Sequence, residues 1–254
     1  MIAAAERILA AGALGVVSGL FGGLFGIGGG VLAIPLLGLA YGLHQQMAQG
    51  TVLVMVVPNV LFGLWGYRRR VGVDLRIGAT LALTATASTY PAARFATQLD
   101  PHGLRLAFAA FLAILAALIA YRSRRAAAIA PARWPPLRWQ WTALVGIAGG
   151  IVSGLFGVGG AFIVPPALTA FFGLRQIEAQ GLGLALVSPV MLVALVTYAR
   201  AGEVDWGLGI PLAVGGIAAI PAGVAAAYRL PERRLRLAFC GLLFVTAVLL
   251  ALHG

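Results

Sequence analysis

Two short stretches hold the residues best suited to bind a ligand. Residues 26–30 read Gly-Ile-Gly-Gly-Gly and lead into Val31; residues 157–161 read Gly-Val-Gly-Gly-Ala and lead into Phe162. Glycine reaches positive φ and has no Cβ, so such a loop turns sharply and lets an oxyanion approach the backbone. A helix starting behind the loop opens with N–H groups that lack internal partners, and its macrodipole puts about half a positive charge there. The chemistry on offer is anion binding by backbone donors. It falls to Gly28, Gly29, Gly30 and Val31 in one copy, and to Gly159, Gly160, Ala161 and Phe162 in the other. Side chains extend the set: Gln49 and Gln180 begin matching apolar segments, and Asn59 and Ser188 flank the matching prolines Pro58 and Pro189. A proline within a span bends the helix, commonly beside a cavity. A plainer use stays open. Gly15/Gly19, Gly22/Gly26 and Gly26/Gly30 fit the small-xxx-small spacing of packed helices, and the amides can bond from helix to helix, as can Ser18, Ser153, Thr51, Thr84 and Thr86.

Other chemistries find little support. None of the seven acids (Glu6, Asp74, Asp100, Glu178, Glu203, Asp205, Glu232) falls at the centre of an apolar segment, and His44, His102 and His253 lie near segment ends. Cation and metal carriers normally need buried carboxylates, thiolates or imidazoles, so neither a metal nor a cofactor is expected. No nucleophile–base pair or HExxH helix appears, which argues against an enzyme. The glycine runs lack the preceding strand and the acid about 20 residues on that a nucleotide fingerprint needs. Asp74 and Asp205 stand at helix starts, where N-capping is expected. Cys240, the only cysteine, excludes an internal disulfide.

The elements that must position these residues follow from composition. Of 254 residues, 61% are hydrophobic and 10% charged, where a soluble domain carries roughly a quarter charged. Such a chain is expected to be a multi-pass membrane protein with the lipid bilayer as its partner. All 18 basic residues are arginine, giving a net charge of +11. They separate apolar blocks rather than line one face, which points to membrane topology and away from nucleic acid. The first apolar run follows no clear basic region or cleavage site and is expected to remain as a helix.

The chain reads as one unit written twice. Offset by 131 positions, Gln45 falls on Gln176, 48-AQG-50 on 179-AQG-181, Pro58 on Pro189, Tyr67 on Tyr198, and 104-LRLAF-108 on 235-LRLAF-239. The expected organisation is a first repeat over 1–123, a cytoplasmic linker over 124–139 and a second repeat over 140–254. Each repeat has five apolar pieces, and a crossing needs about 20 residues. The second piece of each, at about a dozen, reaches only about 18 Å. The expected fold is an all-α polytopic membrane protein with two inverted-topology repeats. Each repeat is a re-entrant or broken helix hairpin plus three transmembrane helices. The arginines favour inversion: it gathers fourteen on one side and leaves Arg7, Arg94, Arg105 and Arg200 on the other, whereas parallel repeats divide them eleven to seven. Both termini then face outward, and the two glycine tips meet near midplane from opposite faces, facing a water-filled cavity.

The doubled GLFGIGGG…P motif, at 23–35 and again as GLFGVGGAFIVP at 154–165, followed in each half by AQG, resembles the TauE/SafE family of sulfite and organosulfonate exporters. The resemblance spans nearly the whole chain. It implies a bacterial-type inner-membrane transporter of small sulfur-containing anions such as sulfite or sulfoacetate. Ala161 stands where the first copy has Gly30, and Pro165-Pro166 is doubled, so a pocket lined by both tips would be asymmetric. The expected function is a secondary transporter exporting such an anion by alternating access. An anion channel through the same tips, and a non-transporting scaffold whose glycines only pack helices, are the alternatives. Substrate, coupling ion and oligomeric state have no signature in the sequence.

Overall fold

A computed structural model of the chain describes residues 2–68, 75–125, 139–158, 164, 168 and 176–252. The described residues form helices and no strand. They are α1 (Ile2–Phe25), α2 (Gly30–Tyr41), α3 (Gln45–Arg68), α4 (Leu75–Ala96), α5 (Pro101–Arg125), α6 (Trp139–Phe156), α7 (Gln176–Arg200), α8 (Trp206–Arg229) and α9 (Glu232–Leu252). Stretches in α1, α5 and α8 are long and apolar enough to cross a membrane unaided: Ala5–Phe25, Pro101–Tyr121 and Trp206–Arg229. Large apolar side chains also point outward, among them Leu83, Ile114 and Val214, each more than 60% exposed. A water-soluble protein would bury such a belt; lipid accommodates it.

The sequence explains where helices start and stop. Gly26, Gly28 and Gly29 take φ of 69°, 72° and 86°, a conformation that costs other residues roughly 1–2 kcal/mol each, so α1 ends and the chain turns. α2 then runs for only 12 residues to Gly42, whose φ of 66° lets its N–H reach the Gly38 carbonyl at 2.9 Å. That matches the expected short second piece. Asp205 caps α8 as anticipated, accepting from the Leu208 N–H at 3.1 Å. Asp100 does the same for the start of α5, accepting from Gly103 N–H at 2.8 Å. Asp74 lies outside the described residues.

Helices pair across the two halves. α1 lies along α8 in the same direction: Gly15 meets the Leu212 backbone, Gly19 meets Gly216, and Gly23 meets Ile220 and Gly223, with no room for a Cβ at any of them. α6 lies along α4 in the same way, Gly146 on Leu81 and Thr84, Gly150 on Ala85 and Ser88, Gly154 on Thr89 and Ala93. The Ser88 and Thr89 hydroxyls donate across this seam to the carbonyls of Ile147 (3.1 Å) and Gly150 (3.2 Å). Helix packing is therefore the use of Gly15 and Gly19. α3 packs on both α7 and α8, and α5 packs on α9.

Candidate functional site

The first glycine tip lies beside the middle of α3. A Cβ built on Gly28 would stand 3.0 Å from methyls of Val56 and Val60; one on Gly30 would stand 3.1 Å from Val56 and 3.4 Å from Val52. Val56 is the twelfth of the 24 residues of α3. Gly29 is the N-cap of α2, and the first bond into the helix is Ala33 N–H to the Gly29 carbonyl at 3.4 Å. The N–H groups of Gly30, Val31 and Leu32 thus open the helix without an acceptor among the described residues. Gly28, Gly29, Gly30 and Val31 are all buried. Among the described residues the tip is covered by the α3 valines.

The second tip begins at Gly157, with φ of 64°. Gly159, Gly160, Ala161 and Phe162 lie outside the described residues, as does the side chain of Gln180. The two tips still touch: the Cβ position of Gly30 is 3.7 Å from the Cα of Val158.

Of the predicted side chains, Gln49 stands at this meeting point. It is fully buried, and its Cβ lies 3.2 Å from the Cβ position of Gly157. Its Oε1 accepts from the Tyr198 hydroxyl at 2.8 Å, and its Nε2 has no partner. Tyr198, which also lies 3.2 Å from the Gly154 carbonyl and 3.3 Å from that of Leu155, ties the amide to the end of α6. Whichever way the amide is turned, one terminal atom is left without a partner among the described residues. Burying such a group costs about 1–3 kcal/mol, so a protein keeping one there requires a reason.

Asn59 is equally buried but turned to the first tip, donating from Nδ2 to the Gly28 carbonyl at 3.2 Å. Its Oδ1 has no partner. One of its two N–H groups thereby anchors the loop. Ser188 is half-buried in α7. The Thr51 hydroxyl accepts from the N–H of Asp205, in the turn ahead of α8, at 2.9 Å, whereas Thr84 bonds back to its own helix at Thr80 (2.8 Å). The buried hydroxyls of Ser18 and Ser153 have no partner. Ser18 lies under Gly29 through its carbonyl, and the Ser153 carbonyl accepts from Gly157 N–H at 2.9 Å. Sequence reasoning did not place Tyr198 beside Gln49, although its alignment with Tyr67 singled it out as a repeated position.

The arrangement can receive an acceptor-rich species: unpaired amide donors, no carboxylate between Gln49 and the tips, and little charge to desolvate. Comparison with known proteins bears on the family. The family model for the sulfite exporter TauE/SafE matches residues 11–250. A probable membrane transporter protein of Xylella fastidiosa is 33% identical over 197 residues, covering 77% of this chain and 75% of the relative. The probable membrane transporter protein YjnA of Bacillus subtilis is 25% identical over 248 residues, covering 92% and 96%. MJ0441 of Methanocaldococcus jannaschii, also a probable membrane transporter protein, is 27% identical over 219 residues. No solved structure matches the chain.

Proposed function

The chain belongs to the TauE/SafE family and is a membrane transporter; from that premise we propose that it exports a small anion by alternating access. Sulfite, sulfoacetate or a related organosulfonate is the substrate class, and the bacterial inner membrane is the place. The anion is held near midplane where the two glycine tips meet. The observation that carries this is the fully buried, half-paired amide of Gln49 beside Gly157, with the open first turn of α2 in contact through Val158. An anion there would satisfy donors that the protein leaves empty, without a full positive charge in the bilayer.

Helix directions support inverted repeats. α1 and α8 run together, as do α6 and α4, while α3 meets α7 head to tail, Gln49 near the start of one and Tyr198 near the end of the other. In the inverted arrangement each corresponding pair, α1 with α6, α3 with α7, α4 with α8, points in opposite directions. Inversion assigns Gln180 the part at the first tip that Gln49 plays at the second. With the fourteen arginines cytoplasmic, both termini face outward. The valine cover over Gly28 and Gly30 favours a carrier over an open channel, because α3 must move against the tips before an ion passes. The membrane potential drives such an anion outward without a coupling carboxylate.

Proteoliposomes offered sulfite, sulfoacetate, sulfate and chloride test this. Saturable exchange of one of the sulfur anions, reduced in Gln49→Leu, is the expected outcome. Transport of none of the four by folded protein, or single-channel currents in place of exchange, would refute it.

A further inference from the structure

At the bundle end that holds the α2–α3 turn, a cavity of about 290 Å³ opens between α2, the start of α3, the start of α5 and the end of α9. Its lining divides by chemistry. Ile34, Pro35, Leu249 and Leu250 are apolar, Gln45 and Arg105 carry N–H donors, and none of the described lining residues is acidic. Gln45 is 6% exposed, and its Nε2 has no partner. It is the first residue of α3, so the open N–H groups and positive dipole end of that helix fall at the same place. Arg105 sits 3.1 Å from His102 through one guanidinium nitrogen. Glu203, between α7 and α8, lies 3.5 Å from His44 of the α2–α3 turn.

We propose that this cavity is a second anion site, separate from the glycine tips. It takes a small organic oxyanion whose sulfonate, carboxylate or phosphate head meets Arg105 and Gln45, while a short apolar part lies against Ile34, Leu249 and Leu250. The volume lies near the lower end of small-molecule sites, about 300 Å³, which suits an anion of a few carbons. Bare inorganic sulfite would leave the apolar wall unused, so the site selects for a carbon skeleton. Because the cavity adjoins α2 at the end opposite its glycine tip, an anion leaving the tips towards this end would meet it. The site itself does not depend on the tips binding anything.

A lipid headgroup shares this chemistry, and the experiment separates the two sources. Ethanesulfonate binding is followed by calorimetric titration of the full chain in phosphatidylcholine nanodiscs. The Gln49→Leu background is used so that binding at the tips is weakened. Arg105→Gln should weaken the affinity roughly 10- to 100-fold, and Gln45→Leu roughly 3- to 10-fold, the loss of one bond to an ion and of one neutral donor. Arg105→Lys, which keeps the charge, should retain more affinity than Arg105→Gln. Competition by added phosphatidylglycerol, lost in Arg105→Gln, would identify the headgroup as occupant; its absence would identify the dissolved anion. Both support the oxyanion site. Ethanesulfonate affinity unaltered by Arg105→Gln and by Gln45→Leu in folded protein would overturn it, as would failure of both ethanesulfonate and phosphatidylglycerol to bind. Normal transport by Gln49→Leu would remove the midplane proposal and leave this one standing.

Discussion

Replacing Gln49 by leucine separates binding from folding, because the two should move in opposite directions. The side chain is fully buried and only half paired. Removing the orphaned NH2 recovers about 1–3 kcal/mol, while losing the bond from Tyr198 gives up about 0.5–1.5 kcal/mol. The hydroxyl left behind keeps the Gly154 and Leu155 carbonyls within 3.2 and 3.3 Å, so it is not stranded. Leucine occupies a similar volume among the same neighbours. The net expectation runs from about 0.5 kcal/mol less stable than the parent to about 2.5 kcal/mol more stable. Transport should fall. A hydrogen bond to an ionised partner contributes about 1.5–3 kcal/mol, so the apparent affinity for the anion should drop roughly 10- to 100-fold. The assay is paired: thermal unfolding of purified protein, and initial rates of anion exchange per folded molecule in proteoliposomes. A melting midpoint that falls together with activity would make Gln49 a packing residue. An unchanged rate would remove it from the transport path.

Three further substitutions locate the glycine and amide roles. Gly29→Ala puts a Cβ against the Ser18 carbonyl at φ of 86°; it should cost more than about 1–2 kcal/mol and lower both folded yield and transport. Asn59→Leu strands the Gly28 carbonyl, which it now bonds at 3.2 Å; the expected loss is about 1–3 kcal/mol in unfolding measurements. Gly19→Leu forces α1 away from the Gly216 backbone; folded yield should fall by the equivalent of about 1–3 kcal/mol, with exchange per folded molecule largely kept. Equal loss of rate per folded molecule in Gly19→Leu and Gln49→Leu would contradict the separation drawn between packing glycines and the tip.

Much of the framework was legible because it rests on local properties. Hydropathy declares the apolar spans. Three left-handed glycines end α1 and start α2, and a 12-residue apolar run cannot be more than a short helix. The doubling was equally plain, since an offset of 131 is read from residue identities alone. Asp205 as a cap needed only its position ahead of Trp206. The use of each glycine was not so accessible. Gly15 and Gly19 share the spacing of Gly22 and Gly26, yet the first pair packs on α8 and Gly26 turns the chain, a difference set by what lies opposite.

Side-chain roles were decided only by the tertiary structure. Gln49 and Tyr198 stand 149 positions apart, and only the head-to-tail meeting of α3 with α7 turns them into one hydrogen bond beside Gly157. The bond from the Asn59 amide to the Gly28 carbonyl is likewise set by packing, since the two stand 31 positions apart. Gln45 and Arg105 belong to separate helices that only the bundle brings to one cavity. Residue type and spacing determine what a segment of backbone does by itself. Which donors stay unpaired depends on partners supplied by distant helices, and that is a property of the packed molecule.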